Sequence, residues 1–315
     1  MGKASRTKVD SSRRERIAAQ RAAERRAEQR RRILIASGSI IAVVAIVVAF
    51  IVVKANSKPP SSSSSNGPTG AALSSVVSDV TSVPASVLDK VGSGSGQFTG
   101  KIQTINGGTP LTANGKPEML YMGAEYCPYC AAERWAMIVA LSRFGTFHGL
   151  ATIHSAARNG AGSAEPYPDT PTFTFAHATY SSPYLTFTPV ELNTNIPDPS
   201  NGGYTTLQTP TAAQQALITK WDNQPYISSS EPAGSIPFIY FGGKSMIVGT
   251  SPAQNQALSG LDWNQIAADL HNPNSAVAKA EVGEANYITA AICKMTGNQP
   301  ASACTATVQA LESQL

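Results

Sequence analysis

The first long apolar run spans Ile33 to Val53, 21 residues without a charge and dominated by Ile, Val and Ala. About 20 such residues cross the hydrocarbon core of a bilayer as a helix, so the run predicts one transmembrane helix over 33–53. Residues 54–70, with Pro59-Pro60 and five consecutive serines, cannot bury a core and read as a flexible tether. From Ala71 the rhythm changes. Val76, Val77, Val80 and Val83 recur at helical spacing before Pro84, and Val87-Leu88 follow, predicting one or two short helices. Gly92-Ser93-Gly94-Ser95-Gly96 reads as a loop and does not match a dinucleotide fingerprint.

Lys101 to Ile105 alternates polar and apolar positions, which predicts a strand closed by the Asn106-Gly107-Gly108 turn. After a second turn at Asn114-Gly115, the run Glu118 to Gly123 reads as a buried strand. Ala131 to Phe144 is apolar nearly all round, the signature of a core helix, with Gly145 as its stop. Leu150 to His154 is the next strand. The stretch 159–232 is rich in Gly, Pro, Ser and Thr, with strand-like pieces at 172–176 and 184–190 and a helix at 212–221. We read it as a large, lid-like insertion. Ile236 to Gly249 predicts a hairpin around Gly242-Gly243, and helices follow from Pro252, over Trp263 to Leu270, and over Ala276 to Cys293.

Charge divides the chain. Residues 1–32 carry twelve Lys/Arg against four Asp/Glu, whereas the remainder carries twelve against sixteen. Arg30, Arg31 and Arg32 abut the apolar run, and Lys54 alone flanks its far end. The positive-inside rule then puts 1–32 in the cytoplasm, as a basic tail, and 71–315 outside, on a single-pass anchor in the cell membrane. A cleaved signal is the alternative, but the charged region is long and Val53-Lys54-Ala55 is a poor cleavage site. No aromatic residues interleave with the arginines, so the tail gives nucleic-acid binding no support.

Four cysteines all lie beyond the apolar run, and their separations favour two pairs, Cys127–Cys130 and Cys293–Cys304. Persistent disulfides suit an oxidising exterior. Cys127 falls where the core helix begins. Unpaired amide N–H groups and the positive end of the helix dipole favour an anion there, which lowers a thiol's pKa. Cys130, one turn further in, suits a resolving thiol, and Pro128 suits the first helical position. Tyr129 stands beside it as a candidate binding residue. Glu133 and Arg134 are candidates for tuning the thiols, against the plainer reading of helix-face charges. Trp135 is a candidate binding residue whose helical spacing favours the core instead. Cys293 and Cys304 enclose a ten-residue loop and read as a structural disulfide, with an electron relay as the alternative. No second C-x-x-C and no His pair completes a zinc set.

A strand, then C-x-x-C at a helix start, then Ser235-Ile236-Pro237 before a hairpin and a last helix: this order resembles the thioredoxin superfamily. The resemblance implies an α/β three-layer domain with a large insertion. It also implies a cis Pro237 packed opposite the cysteines, with Ile236 presenting its backbone to a substrate peptide. The run Gly123 to Trp135, GAEYCPYCAAERW, is similar to that of the membrane-anchored domain-of-unknown-function 929 family over about 71–315. Tyr126 in place of the usual Trp departs from thioredoxins. The function expected is thiol–disulfide exchange on exported proteins through Cys127 and Cys130, with no organic cofactor and an integral membrane redox partner. A non-catalytic binding or assembly module on the same scaffold is the alternative.

Overall fold

The buried strand that precedes the cysteines lies at the centre of a mixed sheet. The computed structural model describes residues 67–95, 102–227, 232–250 and 252–315. The tail, the run 33–53 and nearly all of the tether lie outside the described residues. Among the described residues no single helix is long and apolar enough to cross a membrane.

In chain order the elements are α1 (Gly70–Thr81), α2 (Ala85–Val91), β1 (Ile102–Thr104), β2 (Thr112–Ala113), β3 (Lys116–Gly123), α3 (Pro128–Leu141), β4 (Thr146–His148), β5 (Ala151–His154), β6 (Pro171–Thr174) and β7 (Thr179–Ser181). They continue with β8 (Thr186–Glu191), β9 (Asn193–Asp198), β10 (Gly203–Thr206), α4 (Ala212–Trp221), β11 (Phe238–Phe241), β12 (Ser245–Val248), α5 (Pro252–Leu258) and α6 (Trp263–Leu270). A π-helical turn, Ala278–Val282, then leads into α7 (Gly283–Thr296), and α8 (Ala306–Glu312) closes the chain.

The sheet runs β1-β12-β11-β3, with β2 and β8 both pairing β3. The β3–β8 pairing is parallel, Glu118 to Gly123 against Thr186 to Glu191, whereas β11, β12 and β1 join antiparallel. Parallel neighbours need a crossover connection, and α3 with the strands after it provides one. The protein is therefore mixed α/β. Strand side chains alternate between two cores. Met119, Tyr121, Ile239, Phe241 and Ile247 join α3, α6 and α7, while Leu120, Met122, Phe238, Tyr240 and Val248 meet Ile218 and Trp221 of α4. Period-two alternation is what lets one sheet serve both.

Three expectations change here. The stretch 159–232 is not wholly an insertion, because it supplies β8 to the central sheet and α4 to one of its faces. Its other strands form two-stranded pairs, β6 with the earlier β5, β7 with the earlier β4, and β9 with β10. Helix α3 stops at Leu141 rather than at Gly145, and Gly145 is instead closely approached by Ser181 and Tyr180. Five short strands, β2, β4, β7, β9 and β10, are not legible as periodic runs.

Candidate functional site

Helix α3 is set into the core over almost its whole length; Tyr129 alone, 37% exposed, reaches solvent. Its N-cap is Cys127, in extended conformation (φ −74°, ψ 121°). The Cys130 backbone N–H donates to Cys127 Sγ at 3.3 Å, so the sulfur takes the place of a capping oxygen. Pro128 occupies the first helical position, and its carbonyl accepts from Asn255 Nδ2 at 2.9 Å. That bond ties the start of the helix to α5. Both cysteines are free thiols.

The Ile236–Pro237 peptide is cis, and the Ile236 carbonyl lies 3.9 Å from Cys127 Sγ, where it accepts from the thiol. Pro237 is buried and its own carbonyl accepts from Gly249 N–H at 2.9 Å, which pins the loop to the end of β12. The structure thus brings Cys127, Cys130 and Ile236 into one cluster with Ala124, Tyr126 and Leu192.

The two thiols are not equivalent. Burial pushes the Cys127 thiol up, but the Cys130 side chain, the Cys130 and Tyr129 backbone N–H groups and the Arg134 charge outweigh it, and the net direction is down. Cys130 goes well up, through burial first and then through its hydrogen bond to Cys127 and the charge there. A pair of titratable groups pushed apart in this way separates a nucleophile from a proton holder.

Arg134 is the charge beneath the dithiol. Nε donates to Glu191 Oε1 at 2.9 Å and Nη2 to Glu191 Oε2 at 2.7 Å, both side chains being 0% exposed. Nη2 also donates to Ala124 O at 2.8 Å, fixing the segment that enters the cysteine turn. Tyr121 packs under the guanidinium, 6.0 Å from its ring centroid, and burial raises its phenol well above the ordinary value. Gly123 is required by close approach: a Cβ there would collide with Tyr121 Oη and press on Cys130 Sγ. Glu133, the other tuning candidate, faces Glu284 and Gln254, and burial raises its carboxyl to about 7. With Glu281 it forms a buried carboxyl group of three between α3, the π-helical turn and α7.

Both sulfurs are buried, Cys127 being 4% exposed and Cys130 0%, so the nucleophile candidate does not stand open at the mouth of the helix. Tyr126, Leu192 and Ile236 pack against the pair, and Tyr126 is held in turn from far along the chain. Tyr126 stacks on Tyr204 of β10 at 4.0 Å with rings 7° from parallel, and Tyr204 donates its hydroxyl to Glu165. Trp135 is in the core, 0% exposed, with Nε1 donating to Pro171 O, so it lines no surface. Cys293 and Cys304 form a disulfide, 5.8 Å between Cα atoms, and both are buried. Sequence reasoning missed Glu191, Tyr204 and Tyr167. Glu191 had one usable signal, since an arginine inside an apolar helix needs a buried carboxylate.

No curated protein and no solved structure matches the chain. The model of a domain of unknown function, DUF929, matches residues 104–294, more than half of the chain and the whole of the cysteine site. The chain belongs to the DUF929 family.

Proposed function

We propose that this protein is a membrane-tethered thiol–disulfide oxidoreductase of thioredoxin-like fold, working on the outer side of the cell membrane. One observation carries the reading: a capping sulfur at a helix start, its pKa drawn down, beside a buried sulfur whose pKa is driven up. The fold supports it, since a parallel strand pair around the dithiol helix, an antiparallel hairpin entered through Pro237 and a terminal helix follow the thioredoxin order. The apolar run 33–53 and the arginines before it support the anchor and its orientation.

In the reducing direction the Cys127 thiolate attacks one sulfur of a substrate disulfide and the other leaves as a thiolate. Cys130 then loses its proton and attacks Cys127 Sγ, which closes the Cys127–Cys130 disulfide and frees the second substrate sulfur. Two electrons pass to the substrate, and two protons end on its thiols. Oxidation of a substrate dithiol is the same path reversed. An integral membrane dithiol or quinone-linked protein resets the pair. In this reading Tyr129, Ile236 and Pro237 touch the substrate chain, and Pro128 shapes the turn.

A second reading, a binding or assembly module without chemistry, is favoured by the burial of both sulfurs. Replacing Cys130 with Ser in the full chain separates the two. Trapped mixed disulfides with exported proteins, at Cys127, support exchange. No trapped partner, together with no exchange by the wild-type chain, leaves the binding module.

A further inference from the structure

We propose that the cleft walled by His154, Arg158, Asp169 and Asn195 is the subsite for a charged or amide side chain of the substrate protein, beside the cysteine that Cys127 engages. It rests on the oxidoreductase reading above and adds the substrate's character. The cavity measures about 280 Å³. Small-molecule sites run from roughly 300 to 1,000 Å³, so this one suits a side chain rather than a whole cofactor.

Its position follows from hydrogen bonds. Ala156 N–H donates to Tyr126 O at 2.9 Å, which sets the floor of the cleft one bond from the residue before Cys127. Asn195 Nδ2 donates to His154 O at 2.8 Å and holds the β9 wall against the end of β5. The third wall comes from the loop that carries Tyr167 and Asp169, with φ of 49° and 54°. A left-handed tyrosine is an uncommon and costly conformation, retained where surrounding structure enforces it. Here it sets the Tyr167 ring edge-on to Tyr129, 6.2 Å between centroids, so the loop reaches from the cleft to the exposed ring of the dithiol turn.

The lining decides the chemistry. Among the described residues neither Arg158 nor Asp169 is in a salt bridge. Arg158 Nη1 donates to Gly162 O, leaving the rest of the guanidinium fork open. Burial holds His154 below its ordinary pKa, with the nearby Asp169 charge opposing. An apolar side chain entering here strips water from Arg158 and Asp169 and replaces none of its hydrogen bonds, whereas Glu, Gln or Lys replaces them.

The test uses the full chain in detergent and a series of peptides, each with one disulfide, that differ only at the residue beside it: Leu, Gln, Glu or Lys. Hydrogen bonds of ordinary strength predict a KM about five- to tenfold lower for the polar peptides than for Leu. Arg158→Ala should erase the Glu:Leu ratio, and Asp169→Ala the Lys:Leu ratio. Equal KM across the series, or ratios that survive both substitutions, overturns the subsite. Exchange of the wild-type chain with a small symmetric disulfide separates the failures. If that exchange proceeds while the peptides are not discriminated, the subsite alone is wrong; if neither reacts, the oxidoreductase reading falls and takes the subsite with it.

Discussion

Replacing Glu133 with Gln removes one proton-binding site from the interface of α3 with α7. Glu133 is 0% exposed, and burial lifts its carboxyl from 4.5 to about 7, with Glu284 and Gln254 opposing the rise. Glu281, on the π-helical turn, is also raised well above its ordinary value, by burial and then by Glu133. A carboxyl with a raised folded-state pKa binds its proton more tightly folded than unfolded. Its contribution is therefore complete below about pH 4.5 and is lost as pH climbs through about 7. Over that interval one proton is worth on the order of 3 kcal/mol. The wild-type chain should lose stability between about pH 5 and 8, against the trend of most proteins in acid. Glu133→Gln, uncharged throughout, should match it near the acid end and exceed it at the alkaline end by about 2–3 kcal/mol. Urea unfolding of the full chain in detergent, followed through the buried Trp135, Trp221 and Trp263, reads the difference. A wild-type stability that climbs across this range, or a variant with an unchanged slope, would falsify the account of a proton-sharing carboxyl group.

Two further outcomes follow from the geometry. Arg134→Met leaves the Glu191 charge buried without its partner and should cost about 3–5 kcal/mol, most of it recovered when Glu191→Gln is added. In the double variant, the pH midpoint for alkylation of Cys127 should sit above the wild-type value, because Arg134 draws that thiol down; an unmoved midpoint counts against any tuning by Arg134. Gly123→Ala forces a methyl onto Tyr121 Oη and against Cys130 Sγ, 3.1 Å away. Overpacking of this kind costs about 1–3 kcal/mol, and thermal unfolding unchanged from wild type means that the strand has slack the contacts do not suggest.

What the sequence disclosed was local. The cysteine turn, Pro128 at the helix start and the glycine hairpin at Gly242-Gly243 announce themselves within a few positions, because backbone geometry selects those residue types. The dithiol was therefore found, and Pro237 with it. What depended on distant pairing was hidden. The piece 184–190 is legible as a strand, but nothing within it says that β3 recruits Thr186 to Glu191 as a parallel neighbour. Cys127 is packed against Leu192 and Ile236, and Tyr126 is stacked on Tyr204, none of which a local pattern links to the cysteine turn. Glu133 and Arg134 stand side by side in one helix and look alike. Only the strand and the helices packed on either side assign one to Glu191 and the other to Glu284.

The central strand β3 has consequences for how the chain comes together. Both of its long partners, β8 and β11, are made well after it, and so are Leu192 and Ile236, which pack against the sulfurs. Closing such wide loops is slow compared with winding a helix. During synthesis Cys127 and Cys130 are thus bare to their surroundings for an interval that the finished molecule does not repeat. The redox state of this pair is first written by the compartment in which the nascent chain waits, before any partner meets the folded surface.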